Sequence, residues 1–159
     1  MEKTETLILV LLVIVAMPII CTMIPTGPVR FMTVTGTSME PTITASDIIV
    51  VDTAKAQPVV GDIVSYHHTF EENQRFIVTH RVVGVEKGGY RTRGDAYTKA
   101  DSYIVAPEDI LGVMRFKIPY LGGIVHFAGT SNGLLSLVIF PALILIVQEL
   151  REIIQLIGR

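Results

Sequence analysis

The sequence predicts a mainly β domain held between two apolar membrane segments, and three observations carry that prediction. Leu7 to Ile24 contains no charged residue. Tyr120 to Val147 contains no Asp, Glu, Lys or Arg. Between them, short β-branched runs alternate with glycine and proline turns, the pattern of an all-β domain. The expected organisation is an N-terminal anchor over residues 1–30, a β-rich domain over 31–119, and a C-terminal membrane segment with an amphipathic tail over 120–159.

The first apolar stretch, LILVLLVIVAMPIICTMI, just crosses a hydrocarbon core of roughly 30 Å as a helix rising about 1.5 Å per residue. Pro18 lies within it, and membrane helices tolerate proline better than soluble ones. A cleaved leader is the rival reading. It would need a shorter apolar core, a basic start and a small-x-small cleavage site. Here the start is the nearly charge-balanced MEKTET, and Pro25-Thr26-Gly27-Pro28 follows. A retained anchor fits better. The second apolar block has its strongest part at Leu134–Val147, interrupted by Pro141 and preceded by an expected turn at Gly129–Gly133. It reads as a second transmembrane helix, with a helix lying in the interface as the alternative. The tail QELREIIQLIGR alternates charged and aliphatic residues at helical spacing and is expected along the membrane surface.

Strands are expected at Phe31–Thr35, Asp47–Asp52, Asp62–Tyr66, Phe76–Glu86, Tyr90–Arg93 and Ile110–Phe116, punctuated by Pro41, Pro58, Gly61, Gly88-Gly89, Gly94 and Pro107. Hydrophobic residues make up 50% of the chain and charged ones 18%. A net charge of -2 gives no basic surface for nucleic acid. Cys21 is the single cysteine, which excludes an internal disulfide and a cysteine-rich metal site. No cofactor is called for. The histidines and acids lack ligand-like spacing, so no metal site is expected either.

Three boxes in the β region hold the side chains of nucleophilic catalysis. The first is Thr35-Gly36-Thr37-Ser38-Met39-Glu40-Pro41-Thr42 at a strand end. A serine hydroxyl attacks only when a base removes its proton and a rigid turn projects it. Taken alone, Ser38 is also an ordinary loop serine. The second is Phe76 to Val83. Strand alternation puts His80 on one face with Phe76, Val78 and Val82. There it is either a hydrogen-bonded core histidine or a general base. His67 and His68 point to opposite faces and read as surface or turn residues; His126 reads as interfacial. The third box, Arg93-Gly94-Asp95 through Asp101, offers two acids, either able to orient the imidazole. Spacing does not choose between them.

In this order the boxes resemble the type I signal peptidase family, in its archaeal and endoplasmic-reticulum branch. Gly36-Thr37-Ser38-Met39-Glu40-Pro41 is similar to the family's Ser-Met-x-Pro motif, and Val60-Gly61-Asp62-Ile63-Val64 to its following strand. His80-Arg81-Val82-Val83-Gly84 falls where the bacterial branch carries Lys-Arg-Val-x-Gly. Arg93-Gly94-Asp95 with Asp101 is similar to the Gly-Asp box, and Pro119-Tyr120-Leu121-Gly122 to a closing motif. The resemblance implies a compact signal-peptidase-like catalytic domain with Ser38 as nucleophile, His80 as base, Asp101 as the acid of the triad and Asp95 as a supporting acid. Gly36, Thr37 and Met39 fall at the oxyanion and substrate-binding positions. Where several relatives have a serine, Gly36 stands, so Thr35 or Thr37 is left to complete the hole beside the Ser38 N–H.

The implied activity is removal of signal peptides from secretory preproteins. The implied partners are those signal peptides, the lipid bilayer, and a protein translocation channel or accessory peptidase subunits. The implied location is the cell or reticulum membrane with the β domain on the extracytoplasmic or lumenal side; the balanced flanking charges say little about orientation. Two rivals stand beside this reading. One is a membrane-anchored β module that binds a partner without catalysis. The other is a serine–lysine dyad using Lys55, Lys87 or Lys99.

Overall fold

The computed structural model describes residues 3–23, 27–54, 57–69 and 74–157. The chain divides into two compact units, Ile24–Gly122 and the terminal segments Met1–Met23 with Gly123–Arg159. In the first unit seven strands form one antiparallel sheet: β1 (Val29–Thr33), β2 (Ile48–Asp52), β3 (Ile63–Thr69), β4 (Arg75–Glu86), β5 (Gly89–Arg93), β6 (Ile104–Val105) and β7 (Ile110–Ile118). Their order is β1-β2-β7-β3-β4-β5-β6.

β-branched residues fill these strands because they pack well on a pleated surface buried on at least one face. Here both faces are covered. Val64, Tyr66, Val82, Tyr90, Val105 and Val113 make one core; Met39, Ile43, Ile49, Val51 and Ile63 make another. Ile63 and Val64 are neighbours in β3, so strand alternation sends them to opposite sides of the sheet. Bulges at Val50/Val51, Ser65/Tyr66 and Val82/Gly84 add the local twist that lets the sheet coil between the two cores. The β4–β5 hairpin turns on Lys87-Gly88, with Gly88 at φ 102°, as a two-residue turn requires.

Several expectations need correcting here. β1 starts at Val29 and stops at Thr33, so the residues before Ser38 are irregular. The two-residue β6 was not expected at all. His67 and His68 lie in β3, which runs on to Thr69 because Arg75–Val78 continue to pair with it. His68 stacks on Tyr103 with ring centres 3.8 Å apart. Burial, with the Arg75 charge, lowers the His67 pKa.

The second unit is helical: α1 (Lys3–Met23), α2 (Leu121–Ala128, begun in the first unit), α3 (Ser131–Leu134), a π-turn (Leu135–Ile139) and α4 (Phe140–Ile157). The expected turn at Gly129–Gly133 is confined to Gly129-Thr130, and a helix starts at Ser131. The Thr130 hydroxyl accepts the Gly133 N–H at 3.0 Å and caps it. Before Pro141, the Phe140 N–H bonds back to the Leu135 carbonyl. That wider turn relieves the clash a proline ring makes with the preceding turn. α4 runs unbroken through the helically spaced tail to Ile157. Among the described residues one helical run, Ser131–Ile157, is long and apolar enough to cross a membrane, and Thr6–Thr22 is a shorter apolar helix. Ile24, the expected end of the first apolar stretch, lies outside the described residues with Pro25 and Thr26.

Candidate active site

Ser38 sits in a loop tied at its foot and plugged into the core. The Val34 N–H donates to the Asp47 carbonyl (3.1 Å) and closes the loop. Within it, Glu40 N–H bonds to Thr37 O (3.1 Å) and Ile43 N–H to Met39 O (2.9 Å). Met39 and Ile43, 2% and 0% exposed, drop into the second core. At roughly 1.5–3 kcal/mol for each buried side chain, they hold the turn from below. The Met39 side chain is thus a core plug. Gly36 and Thr37 are exposed, and Ser38 is half-buried.

The foot of the loop is pinned by Asp47, 1% exposed. It accepts hydrogen bonds from Thr44 N–H (3.0 Å), Lys117 Nζ (3.0 Å) and Tyr120 N–H (3.4 Å). Burial works against its charge, but these donors outweigh it and hold the carboxyl below the usual range. The closing motif is thereby fastened under the serine loop. Gly122 completes the joint, since a Cβ there would stand 2.6 Å from the Asp47 carbonyl oxygen.

His80 is 6% exposed and lies on the core face of β4. Its Nδ1 is 2.8 Å from Asp101 Oδ2. A carboxylate can only accept, so Nδ1 carries the proton and Nε2 presents a lone pair. The imidazole is held edge-on between buried Tyr66 and exposed Tyr97, with ring centres 6.4 Å away on each side. Nε2 faces Gly94. A Cβ built on Gly94 would lie 3.2 Å from His80 Nε2 and 2.5 Å from the Ser38 carbonyl oxygen. That carbonyl also accepts the Ala96 N–H at 3.0 Å. The backbone of Ser38 and the free nitrogen of His80 therefore border one point, although some forty residues separate them in sequence. No hydrogen bond joins the Ser38 hydroxyl to His80 among the described residues. Such contacts commonly tighten only when substrate binds.

The two acids part company. Asp101 meets the imidazole, whereas Asp95 takes the Arg81 guanidinium as a two-pronged pair at 2.8 and 2.6 Å. Arg81 also donates to the Gly61 carbonyl at 2.9 Å, tying the Gly-Asp turn to the β2–β3 connection. The Arg81 hydrogen bonds hold the Asp95 carboxyl below its ordinary range, against the opposing pull of burial. The contact therefore contributes its full stabilisation above the usual carboxylate range near about pH 4 and loses it as pH falls through the depressed value. Asp95→Asn is expected to remove about 1–3 kcal/mol at pH 7. In thermal denaturation, its Tm should fall below wild type at pH 7 and converge on it toward pH 3; a gap that stays constant with pH contradicts the assignment.

The lysines stand elsewhere. Lys87 occupies the β4–β5 turn and Lys99 the following loop, both exposed, whereas a lysine base must be buried to be neutral near pH 7. Lys55 lies outside the described residues. His126 is exposed in the last turn of α2. Among the described residues no group of three His, Cys, Asp or Glu side chains is placed to hold a metal ion. Sequence reading had missed Gly94 as the point of closest approach, Thr92 beneath Asp101, and Tyr66 and Tyr97 flanking the imidazole.

An imidazole locked to a carboxylate beside a tightly held turn serine, on an antiparallel sheet, is the constellation of a serine hydrolase. The chain belongs to the peptidase S24-like family, whose model matches residues 13–97, more than half of its length. It is a serine peptidase of the LexA and signal peptidase kind. The match takes in Ser38, His80 and Asp95 and stops short of Asp101. No curated protein matches the chain.

Proposed function

We propose that this serine peptidase is a signal peptidase of the archaeal and endoplasmic-reticulum kind, with Ser38 as nucleophile, His80 as general base and Asp101 as its orienting acid. One observation carries the reading: His80 donates a hydrogen bond from Nδ1–H to Asp101 and turns its free Nε2 toward the Ser38 turn. In the reaction, His80 Nε2 takes the Ser38 proton as the hydroxyl oxygen attacks the scissile carbonyl. The same imidazole then protonates the departing amine, leaving an acyl-enzyme. Water, deprotonated in turn by Nε2, releases the acyl group. The Ser38 N–H, with a second donor from Thr35 or Thr37, stabilises the oxyanion, a contribution of roughly 3–4 kcal/mol.

The apolar segments Leu7–Ile24 and Leu134–Val147 support a tether to the bilayer, where signal peptides emerge. The domain then belongs on the extracytoplasmic or lumenal side. Substrate binds extended against a sheet edge, and small pockets select small residues before the cut. The test is cleavage of a model preprotein by purified full-length protein in detergent, with the cut mapped by mass spectrometry. A single cut after small residues at the end of the signal peptide is expected. Cuts confined to the mature region, or an intact preprotein beside other cleaved peptides, overturn the signal-peptide assignment while leaving the peptidase.

A further inference from the structure

Two residues of β5, Thr92 and Arg91, hold Asp101 against the imidazole. The Asp101 N–H donates to the Thr92 carbonyl at 2.9 Å, and its Oδ2 accepts the Thr92 hydroxyl at 2.6 Å. The Asp101 carbonyl in turn accepts Arg91 Nη1 at 3.0 Å. The oxygen that takes the Thr92 proton is the one that takes the His80 Nδ1 proton. Thr92 is completely buried, an unusual place for a hydroxyl without a task.

Counting protons fixes the direction of the hydroxyls behind it. Each has one O–H to give. Thr92 spends its proton on Asp101, so across the 3.3 Å to Tyr66 it can only accept. Tyr66 therefore donates to Thr92 and, at 3.0 Å, accepts from Tyr103. Burial drives the Tyr66 phenol far above its ordinary range and keeps it a donor. The chain runs Tyr103 to Tyr66 to Thr92 to Asp101, every O–H pointing toward the carboxylate. Tyr66 also borders the imidazole edge-on, so it meets His80 directly and Asp101 through Thr92.

We propose that Thr92 is the positioning residue of this site, aiming Asp101 at the His80 Nδ1–H, and that the hydroxyls of Tyr66 and Tyr103 orient Thr92. The proposal rests on the acyl-transfer reading above. It assigns no contact with substrate to Thr92, so the expected signature is a loss in kcat with KM unmoved.

The test uses the full chain in detergent with a model preprotein as substrate. Thr92→Val keeps the shape and removes the donor. Its kcat is expected to fall about 10–100-fold, as when the partner that orients a metal-ligating side chain is removed, with KM within about twofold. Thr92→Ser restores the donor and should recover most of that loss. A second reading needs no turnover. In protein labelled with nitrogen-15 at histidine, the far-downfield proton on His80 Nδ1 should be present in wild type and Thr92→Ser, and displaced or broadened in Thr92→Val. Tyr66→Phe should displace it by less and lower kcat by less. A folded Thr92→Val with wild-type kcat and an unmoved proton signal overturns the proposal while the peptidase reading stands. Should Thr92→Val fail to fold, Tyr66→Phe decides: an unmoved signal with wild-type kcat overturns it equally. An inactive wild type strikes the acyl-transfer reading itself, and the histidine signal then judges the geometry alone.

Discussion

Ser38→Ala and His80→Ala are each expected to lower kcat by on the order of 10⁶, and the double variant should lose no more than either alone. The reason lies in the shared step. Without the imidazole, the hydroxyl keeps its proton and attacks no faster than an alcohol in water; without the hydroxyl, the imidazole has nothing to activate. Two groups that act as one unit cannot contribute twice. Residual cleavage, roughly 10³–10⁴ over water, would come from backbone donors and substrate binding. The measurement is kcat for both single variants and the double on one preprotein, with circular dichroism to establish folding. Additive losses would separate Ser38 from His80, and full activity in His80→Ala would return the lysine dyad to contention.

Asp101→Asn should lower kcat by about 10⁴ with little change in KM. An asparagine amide keeps the size of the carboxylate but can turn its NH₂ toward Nδ1. The ring then carries its proton on Nε2, the nitrogen meant to accept from Ser38. Thr92 could still donate to the amide oxygen, so the side chain would be held in place and wrongly charged. Asp95→Asn makes the contrast. Its carboxylate is spent on Arg81, which follows His80 in β4 on the other face of the strand, and its loss should act through stability. A larger loss of kcat at Asp95 than at Asp101 would contradict the assignment.

These expectations show where the sequence was readable. β4 was legible because Phe76–Glu86 is rich in β-branched residues between turn signals, and the face assigned to His80 is the face that it occupies with Val78 and Val82. β2 was legible as a short β-branched run, and it is buried on both faces. β6 was not, since two residues cannot establish a period. His67 and His68 read as surface or turn residues because a strand would point adjacent rings to opposite faces, yet pairing with β4 carries β3 through them. Met39 read as a binding residue because it belongs to the serine motif; only the packing shows it plugged into the core. The choice between Asp95 and Asp101 was closed to sequence, because it depends on which strand face each loop position meets. Thr92 left one faint sign: it follows Tyr90 by two residues and so shares its inward face.

Gly94 has a consequence for how this chain can drift. A methyl group there would strike the Ser38 carbonyl at 2.5 Å and crowd His80 Nε2 at 3.2 Å, with the Tyr97 ring 2.9 Å away. Every codon one base from glycine that still encodes an amino acid other than glycine adds at least that methyl. No single heritable step away from this residue leaves serine and imidazole as neighbours, so lineages that retain the chemistry are confined to a hydrogen atom at this spot.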